Sequence, residues 1–391
     1  MRQILFTPLL LLAFFGAPTP ASADGATTSA AGLASELDKY TALPGRRALA
    51  AVSDGSTTLY GVAQSMPADV TAAVTALRNC KVKAKQANLD SSCELLRLND
   101  EVVTTTQDIF AQVPEGRHPL FLWHFKSPGA SVYLAGSIHI LKAGLYPLAS
   151  PIEDAFAASD HLVVEVDTVN ISPQTMQLKA LQYSILPDGQ TIDDVLPASL
   201  LKRVDAYMAD QGIPRNMVAS LKPSIVATQL ALTRMMALGY EPQAGIEQHF
   251  LRQVGNKKIL ELETIDAQLE LLTGASMNVQ IDMLEQTLNQ ADQIDPMIAD
   301  LIAAWLGGNT ESFLKFFNDQ SADTPEARMF SKRLLDDRNV KMVEKIKGYL
   351  ASKGSYFVLV GSAHLAGNMG IVKLLEKEGL TGRQVMSDDI L

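Results

Sequence analysis

Two similar segments, both carrying Gly-Ser-x-His after an apolar run, lie 225 residues apart and limit the folds open to this chain more than any other feature. VYLAGSIHI (residues 132–140) and FVLVGSAHL (residues 357–365) are each an apolar run of the kind that forms a buried strand. Each ends in Gly-Ser-x-His, then continues through a glycine-containing loop into an apolar helical stretch. Two related strand–loop–helix units are therefore expected, in an α/β (α+β) fold whose mixed sheet is flanked by helices. Open α/β sheets bind ligands beyond the carboxyl ends of their strands, and glycine lets the backbone approach closely there. A histidine projecting from such an end can ligate a metal or act as a base. One such histidine is more often simply hydrogen-bonded structure. Two on equivalent strands, His139 and His364, favour a functional reading.

Carboxylates finish two further strands. His161-Leu-Val-Val-Glu165-Val-Asp167 and Lys258-Ile-Leu-Glu261-Leu-Glu263 deliver acids toward the same expected crevice. Side chains alternate along a strand, so Glu261 and Glu263 share a face. Glu165 and Glu263 are taken as site residues, Asp167 and Glu261 as lesser candidates. Toward the C-terminus, Thr324 and Pro325 suit the start of a helix and Gly354 its end. Leu334, Arg338 and Met342 are spaced by four, as are Leu335, Asn339 and Val343. Arg338 and Asn339 thus sit on or beside the apolar face. An inward guanidinium needs an acidic partner, either in a structural ion pair or as a clamp for a glutamate, a substrate carboxylate or a developing oxyanion.

The hairpin that opens this main body is read from FLWHF and SVYLA around Ser127-Pro128-Gly129. Residues 119–391 form the main domain. Ahead of it, residues 46–112 read as a small β-β-α-β accessory module. Arg47–Val52 and Thr57–Ala63 flank Asp54-Gly55, Pro67–Lys85 has helical spacing, and Leu95–Val103 is a last strand. Residues 191–239 and 265–318 read as helical scaffold, and Met208, Met217, Met235, Met236 and Trp305 as packing.

Residues 1–23 read as a secretory signal peptide: Arg2, the apolar run Ile4–Phe15, then Ala21-Ser22-Ala23 as a cleavage site. The apolar run is too short to span about 30 Å of hydrocarbon. No later stretch is long and uncharged enough to do so, and an exported, periplasmic protein is expected. Residues 24–45 read as a flexible leader. In an oxidising compartment two cysteines are usually paired, so Cys80 and Cys93, the only two in the chain, are expected to form a disulfide. A composition 47% hydrophobic and 19% charged is that of a folded globular protein. With a net charge of -10 and no basic run, nucleic acid is excluded as a natural partner. There is no HExxH, G-x-S-x-G or Walker A sequence.

GSIHILKAGLYPL, HLVVEVD, GIEQHFL, KKILELET, QLELL, LLDDRN and VLVGSAHLAG, in this order over residues 119–388, resemble the TraB/PrgY/GumN family. That family is related to the Tiki metalloproteases and, more remotely, to the erythromycin-esterase-like and ChaN-like proteins. The resemblance implies paired G-x-x-H motifs and glutamates gathered in one cleft, with divalent-metal-dependent peptide hydrolysis as the activity. Carried onto this chain, His139, His364, Glu165 and Glu263 are the metal-site candidates, for Zn, Mn or Co. Glu165, Glu263 and Arg338 are the catalytic candidates. Glu247, in G-I-E where relatives often carry aspartate, Asn339 beside Arg338, and Lys222 of a K-P block are substrate-binding candidates. Ser224 replaces the aromatic residue that follows K-P in the family. The expected partner is a peptide or an envelope component. The alternative is a non-catalytic periplasmic protein that binds a peptide signal or a polysaccharide component.

Overall fold

A computed structural model describes residues 30–89, 91–319 and 324–391. The signal-peptide reading concerns residues 1–23 and lies outside them. The chain builds two sheets. The first is four-stranded and antiparallel, in the order β2-β1-β3-β4, from β1 (Arg46–Ser53), β2 (Thr58–Met66), β3 (Glu94–Leu98) and β4 (Glu101–Val102). The helix Asp69–Gln86 crosses it with Ala72, Ala73 and Ala76 fully buried. The approach is close enough that a side chain on Gly61 would meet the Ala76 carbonyl at 2.2 Å. Small residues on both surfaces are what allow this contact.

Two expectations are corrected here. The span Leu95–Val103 is not one strand, because Asn99, with φ 52°, turns the chain between β3 and β4. Nor are residues 24–45 wholly a flexible leader. Ala30–Thr41 is a helix; its Leu33 and Leu37 pack near Leu49 and Tyr60. Its Tyr40 is buried and donates its hydroxyl to the carbonyls of Arg47 (3.0 Å) and Asn99 (2.8 Å). Cys80 and Cys93 are joined as a disulfide with their Cα atoms 6.0 Å apart.

The second sheet is six-stranded and mixed, in the order β10-β5-β6-β9-β7-β8. Its strands are β5 (Pro119–Lys126), β6 (Ala130–Ser137), β7 (His161–Val164), β8 (Lys258–Glu261), β9 (Gly354–Gly361) and β10 (Gly382–Met386). β5 and β6 form the expected hairpin. β6, β9, β7 and β8 run parallel, and β6, β9 and β7 are almost wholly buried, as parallel strands covered on both faces must be. One apolar core runs from the helix Asp69–Gln86 through this sheet. The middle of the chain is helical, with a separate small core of Leu200, Val204, Met208, Val226, Leu230 and Leu284. The late helix is two helices, Pro325–Leu334 and Asp336–Leu350, broken at Leu335 (φ −119°, ψ −67°). The Thr324 side chain caps the first by accepting from Ala327 N–H at 3.2 Å. No helix of the described residues is long and apolar enough to cross a membrane.

Candidate functional site

Because β6 and β9 are parallel neighbours, with Ser137 opposite Gly361, both Gly-Ser-x-His segments end at one edge of the sheet. β7 and β8 point the same way, and their ladder continues past the named strands: Leu262 N–H donates to Val164 O (2.9 Å) and Glu263 N–H to Glu165 O (2.8 Å). Four strand ends thus present His139, His364, Glu165 and Glu263 together. The parallel sheet rather than sequence proximity gathers them. A cleft of about 80 Å³ lies there, lined by His139, Glu165, Gln268, Arg338 and His364 and walled by Leu272, Ile298, Leu301 and Phe313.

Each imidazole is held by its Nδ1. His139 Nδ1 lies 2.8 Å from Glu247 Oε1, and the Ser137 hydroxyl donates to the same oxygen. His364 Nδ1 donates to Asn339 Oδ1 at 2.5 Å, while Asn339 Nδ2 donates to Met369 O at 2.8 Å, which fixes the amide orientation. Both Nε2 atoms are left for the cleft. A Cβ placed on Gly361 would sit 3.6 Å from His139 Nε2, 3.7 Å from the His364 ring and 3.2 Å from Glu165 Oε1. Both rings and one carboxylate oxygen therefore border a single point, and glycine keeps it clear.

Arg338 organises the acids. Its Nε bonds both Glu263 oxygens (3.0 and 2.9 Å), and its Nη2 reaches Glu263 Oε2 at 2.7 Å and Glu165 Oε2. Its Nη1 donates to Leu334 O at 3.1 Å, capping the helix that ends there. The break at Leu335 is what puts Arg338 in position to do this. Glu165 also accepts from Gly361 N–H (2.6 Å) and Gln268 Nε2 (3.1 Å), and its Oε1 stands 3.8 Å from His364 Nε2.

Burial works against charge on every group here, and the partners decide the outcome. Glu165 resists burial because Arg338 and the two imidazoles favour its ionised form, which holds it down at about 2. His364 is pushed down to about 3 by burial, despite Glu165, and is neutral. His139 is also desolvated, but the Glu247 carboxylate and Glu165 outweigh that and raise it. Burial opposes the Arg338 charge, and Glu165 and Glu263 raise it further still.

The remaining candidates lie around the cleft rather than in it. Glu247 and Asn339 position the two rings, and Glu263 is turned to Arg338. Lys222 donates to Thr273 O at 3.4 Å and does not line the cleft. Asp167 caps its own loop through Val169 and Asn170 N–H, and Glu261 accepts from Asp167 N–H at 3.3 Å. His249 is paired with Glu153 at 2.8 Å and stacked on Tyr146. Gln268 was missed by sequence reasoning; its only signal is its place one turn into the helix that follows Glu263. The Ser137 hydroxyl donates to Glu247 and the Ser362 hydroxyl to the Ser137 carbonyl.

The order of these blocks along the chain now meets its match. The family model for TraB/PrgY/gumN covers residues 121–384. The chain belongs to this family. Uncharacterized protein YbaP of Escherichia coli K12 is 21% identical over 245 residues, 62% of this chain and 87% of its own length. An uncharacterized protein of Treponema pallidum is 19% identical over 318 residues, 78% of this chain and 95% of its own length. No solved structure matches. The paired histidines, Glu165, Glu263 and Arg338 all fall within the matched span.

Imidazoles whose Nδ1 is tied to a carboxylate or amide, with Nε2 bare, are the form in which histidine ligates divalent ions. With Glu165 Oε1 they make a donor set that suits zinc, manganese or cobalt in kind. Among the described residues no three histidine, cysteine, aspartate or glutamate side chains are gathered closely enough to hold an ion as they stand.

Proposed function

We propose that this chain is an exported, divalent-metal-dependent hydrolase acting on a peptide bond. The observation that carries the reading is that His139 Nε2, the edge of the His364 ring and Glu165 Oε1 all border Gly361, with His364 Nε2 3.8 Å from Glu165 Oε1. His139, His364 and Glu165 would hold the ion. A divalent ion bound there supplies a Lewis acid and a water acidified toward neutrality. Glu247 and Asn339 keep the rings turned to the cleft. Glu165, ionised and facing the cleft, would give Oε1 to that ion while Arg338 and Gln268 hold its other oxygen. Glu263 holds Arg338, whose guanidinium is placed to steady negative charge on a scissile carbonyl oxygen. The apolar walls exclude bulk water, and a cleft of about 80 Å³ takes a scissile group or one side chain rather than a whole ligand. Export rests on the signal-peptide reading of residues 1–23.

One observation favours a second reading, a non-catalytic binder of a peptide or envelope component. Every carboxylate oxygen of Glu165 and Glu263 already has a partner. Metal content and turnover separate the two. The purified protein should retain a divalent ion by elemental analysis and cleave peptides in a chelator-sensitive way. His139→Ala and His364→Ala should lose both. A protein that retains no ion and cleaves nothing under any divalent ion, yet still binds peptide, is the binder.

A further inference from the structure

The histidine cleft has two unlike parts. At the strand ends its lining is polar, and the charges there are answered: Arg338 holds Glu165 and Glu263, and Glu247 lies beneath His139. Much of the remaining wall is Leu272, Ile298, Leu301 and Phe313, all buried.

Helical spacing ties this apolar wall to the polar groups. Leu272 comes four residues after Gln268 on the helix Ile265–Thr273, so the two share a face, and Gln268 donates to Glu165 Oε2 at 3.1 Å. Leu272 thus stands one helical turn, about 5.4 Å, beyond the residue that touches Glu165. Ile298 and Leu301 are three apart on the helix Ile294–Leu306 and share a face likewise. Phe313 comes from the next helix, Thr310–Asp319, and its ring rests on that of Phe121 in β5, with centroids 5.1 Å apart.

These four side chains carry no donor or acceptor. A charged or polar group entering among them would lose its water and gain nothing in return. An aliphatic group gains with every methylene it buries. Volume sets a second limit. An apolar cavity of about 150 Å³ admits a benzene ring, and this cleft, of about 80 Å³, is little more than half as large. It has room for a branched aliphatic side chain and not for an aromatic one.

We propose that the apolar wall selects the substrate: it accepts an uncharged aliphatic side chain, up to the size of leucine, from a residue beside the scissile bond, and Phe313 sets the size limit. The proposal rests on the hydrolase reading of the cleft and names the class of peptide it takes.

Two measurements test it, and the first needs neither metal nor turnover. Chelator-treated protein is titrated with the N-acetyl amides of leucine, glycine, phenylalanine and aspartate, and the imidazole NMR signals of His139 and His364 report occupancy. Saturable binding of the leucine amide in the millimolar range is expected, with each of the other three weaker by about tenfold or more. Phe313→Leu widens the cleft and keeps it apolar, and should raise the affinity of the phenylalanine amide by about tenfold. Phe313→Ala should raise it further, and should that variant fail to fold, Phe313→Leu decides. The second measurement is cleavage, by the metal-loaded protein, of peptides that differ at one position, with the aliphatic residue expected to be preferred by a similar factor. Selective binding of the leucine amide by a protein that cleaves no peptide would remove the hydrolase and keep the aliphatic selectivity. Cleavage indifferent to the side chain would keep the hydrolase and overturn the selectivity. Absence of saturable binding of the leucine amide, equal binding of the phenylalanine or aspartate amide, or an unchanged order in Phe313→Leu would each overturn the proposal as well.

Discussion

One tetrapeptide ends two adjacent strands, yet its two histidines live under opposite conditions. His139 keeps 21% of its side chain exposed and rests on a carboxylate, Glu247. His364 keeps 4% and rests on an amide, Asn339. A carboxylate beneath Nδ1 favours the imidazolium; an amide oxygen in a dry site favours the neutral ring. The first histidine is accordingly raised and the second lowered. The repeated sequence fixes where each ring stands, and a residue from another element fixes its charge. Environments that push two like groups apart are how one site separates acid from base. An ion held by both rings would have to displace the extra proton of His139, so loading near neutral pH should release protons.

The harshest way to break this comparison is to remove Arg338, which serves Glu165, and through it His364, but does not bond the His139–Glu247 pair. Arg338→Met leaves Glu165 and Glu263 buried without a counter-charge, and a loss of about 3–5 kcal/mol in denaturant unfolding is expected. Arg338→Lys keeps the charge but not the fork and should fall between. A loss under about 1 kcal/mol for Arg338→Met would mean that the buried acids are not ionised.

Acid stability sharpens it next. In chelator-treated protein, His364 titrates near 3 when folded and near 6.5 when unfolded. The unfolded chain therefore holds the extra proton between those values, and stability falls as pH drops through that window. The slope is about 1.4 kcal/mol per pH unit at its steepest. Glu165, lowered from 4.5 to about 2, adds the same sign of loss below 4.5. His139 acts oppositely: its pKa is raised, so its contribution is complete below 6.5 and is lost as pH rises through its folded value. Stability from this pair should therefore peak near pH 6.5. His364→Gln should flatten the acid limb and His139→Gln the alkaline limb. If either variant flattened both limbs, the two surroundings would not differ as described.

What could be read in advance was local. Turn residues marked the hairpins, glycine marked the strand ends, and apolar runs marked β6 and β9. The break at Leu335 was hidden because no proline or glycine announces it, and it decides where Arg338 points. The helix Ala30–Thr41 was hidden in a small, polar stretch because its Tyr40 finds partners only in β1 and the Asn99 turn. Glu263 was legible as an acid at a strand end. That both its oxygens are spent on Arg338 depends on two helices packing against the sheet, which no spacing in the sequence records. Lys222 came from resemblance alone and stands away from the cleft.

The mildest test exchanges the two supports. Glu247→Gln puts an amide beneath His139, and Asn339→Asp puts a carboxylate beneath His364. Glu247→Gln keeps shape and a hydrogen-bond acceptor, so stability should move by only about 1 kcal/mol; Asn339→Asp also gives up the donor to Met369 O and should cost more. The ring charges should move in opposite directions: His139 toward the neutral form, His364 toward the imidazolium. The imidazole signals in an NMR pH titration would report both. Asn339→Asp also adds a buried negative charge close to Glu165, so its success depends on His364 taking up the proton. If His364 stays neutral in that variant, burial alone sets its charge and the partner beneath Nδ1 does not. The asymmetry between the two halves would then come from depth in the fold, and Glu247→Gln should leave His139 nearly unchanged.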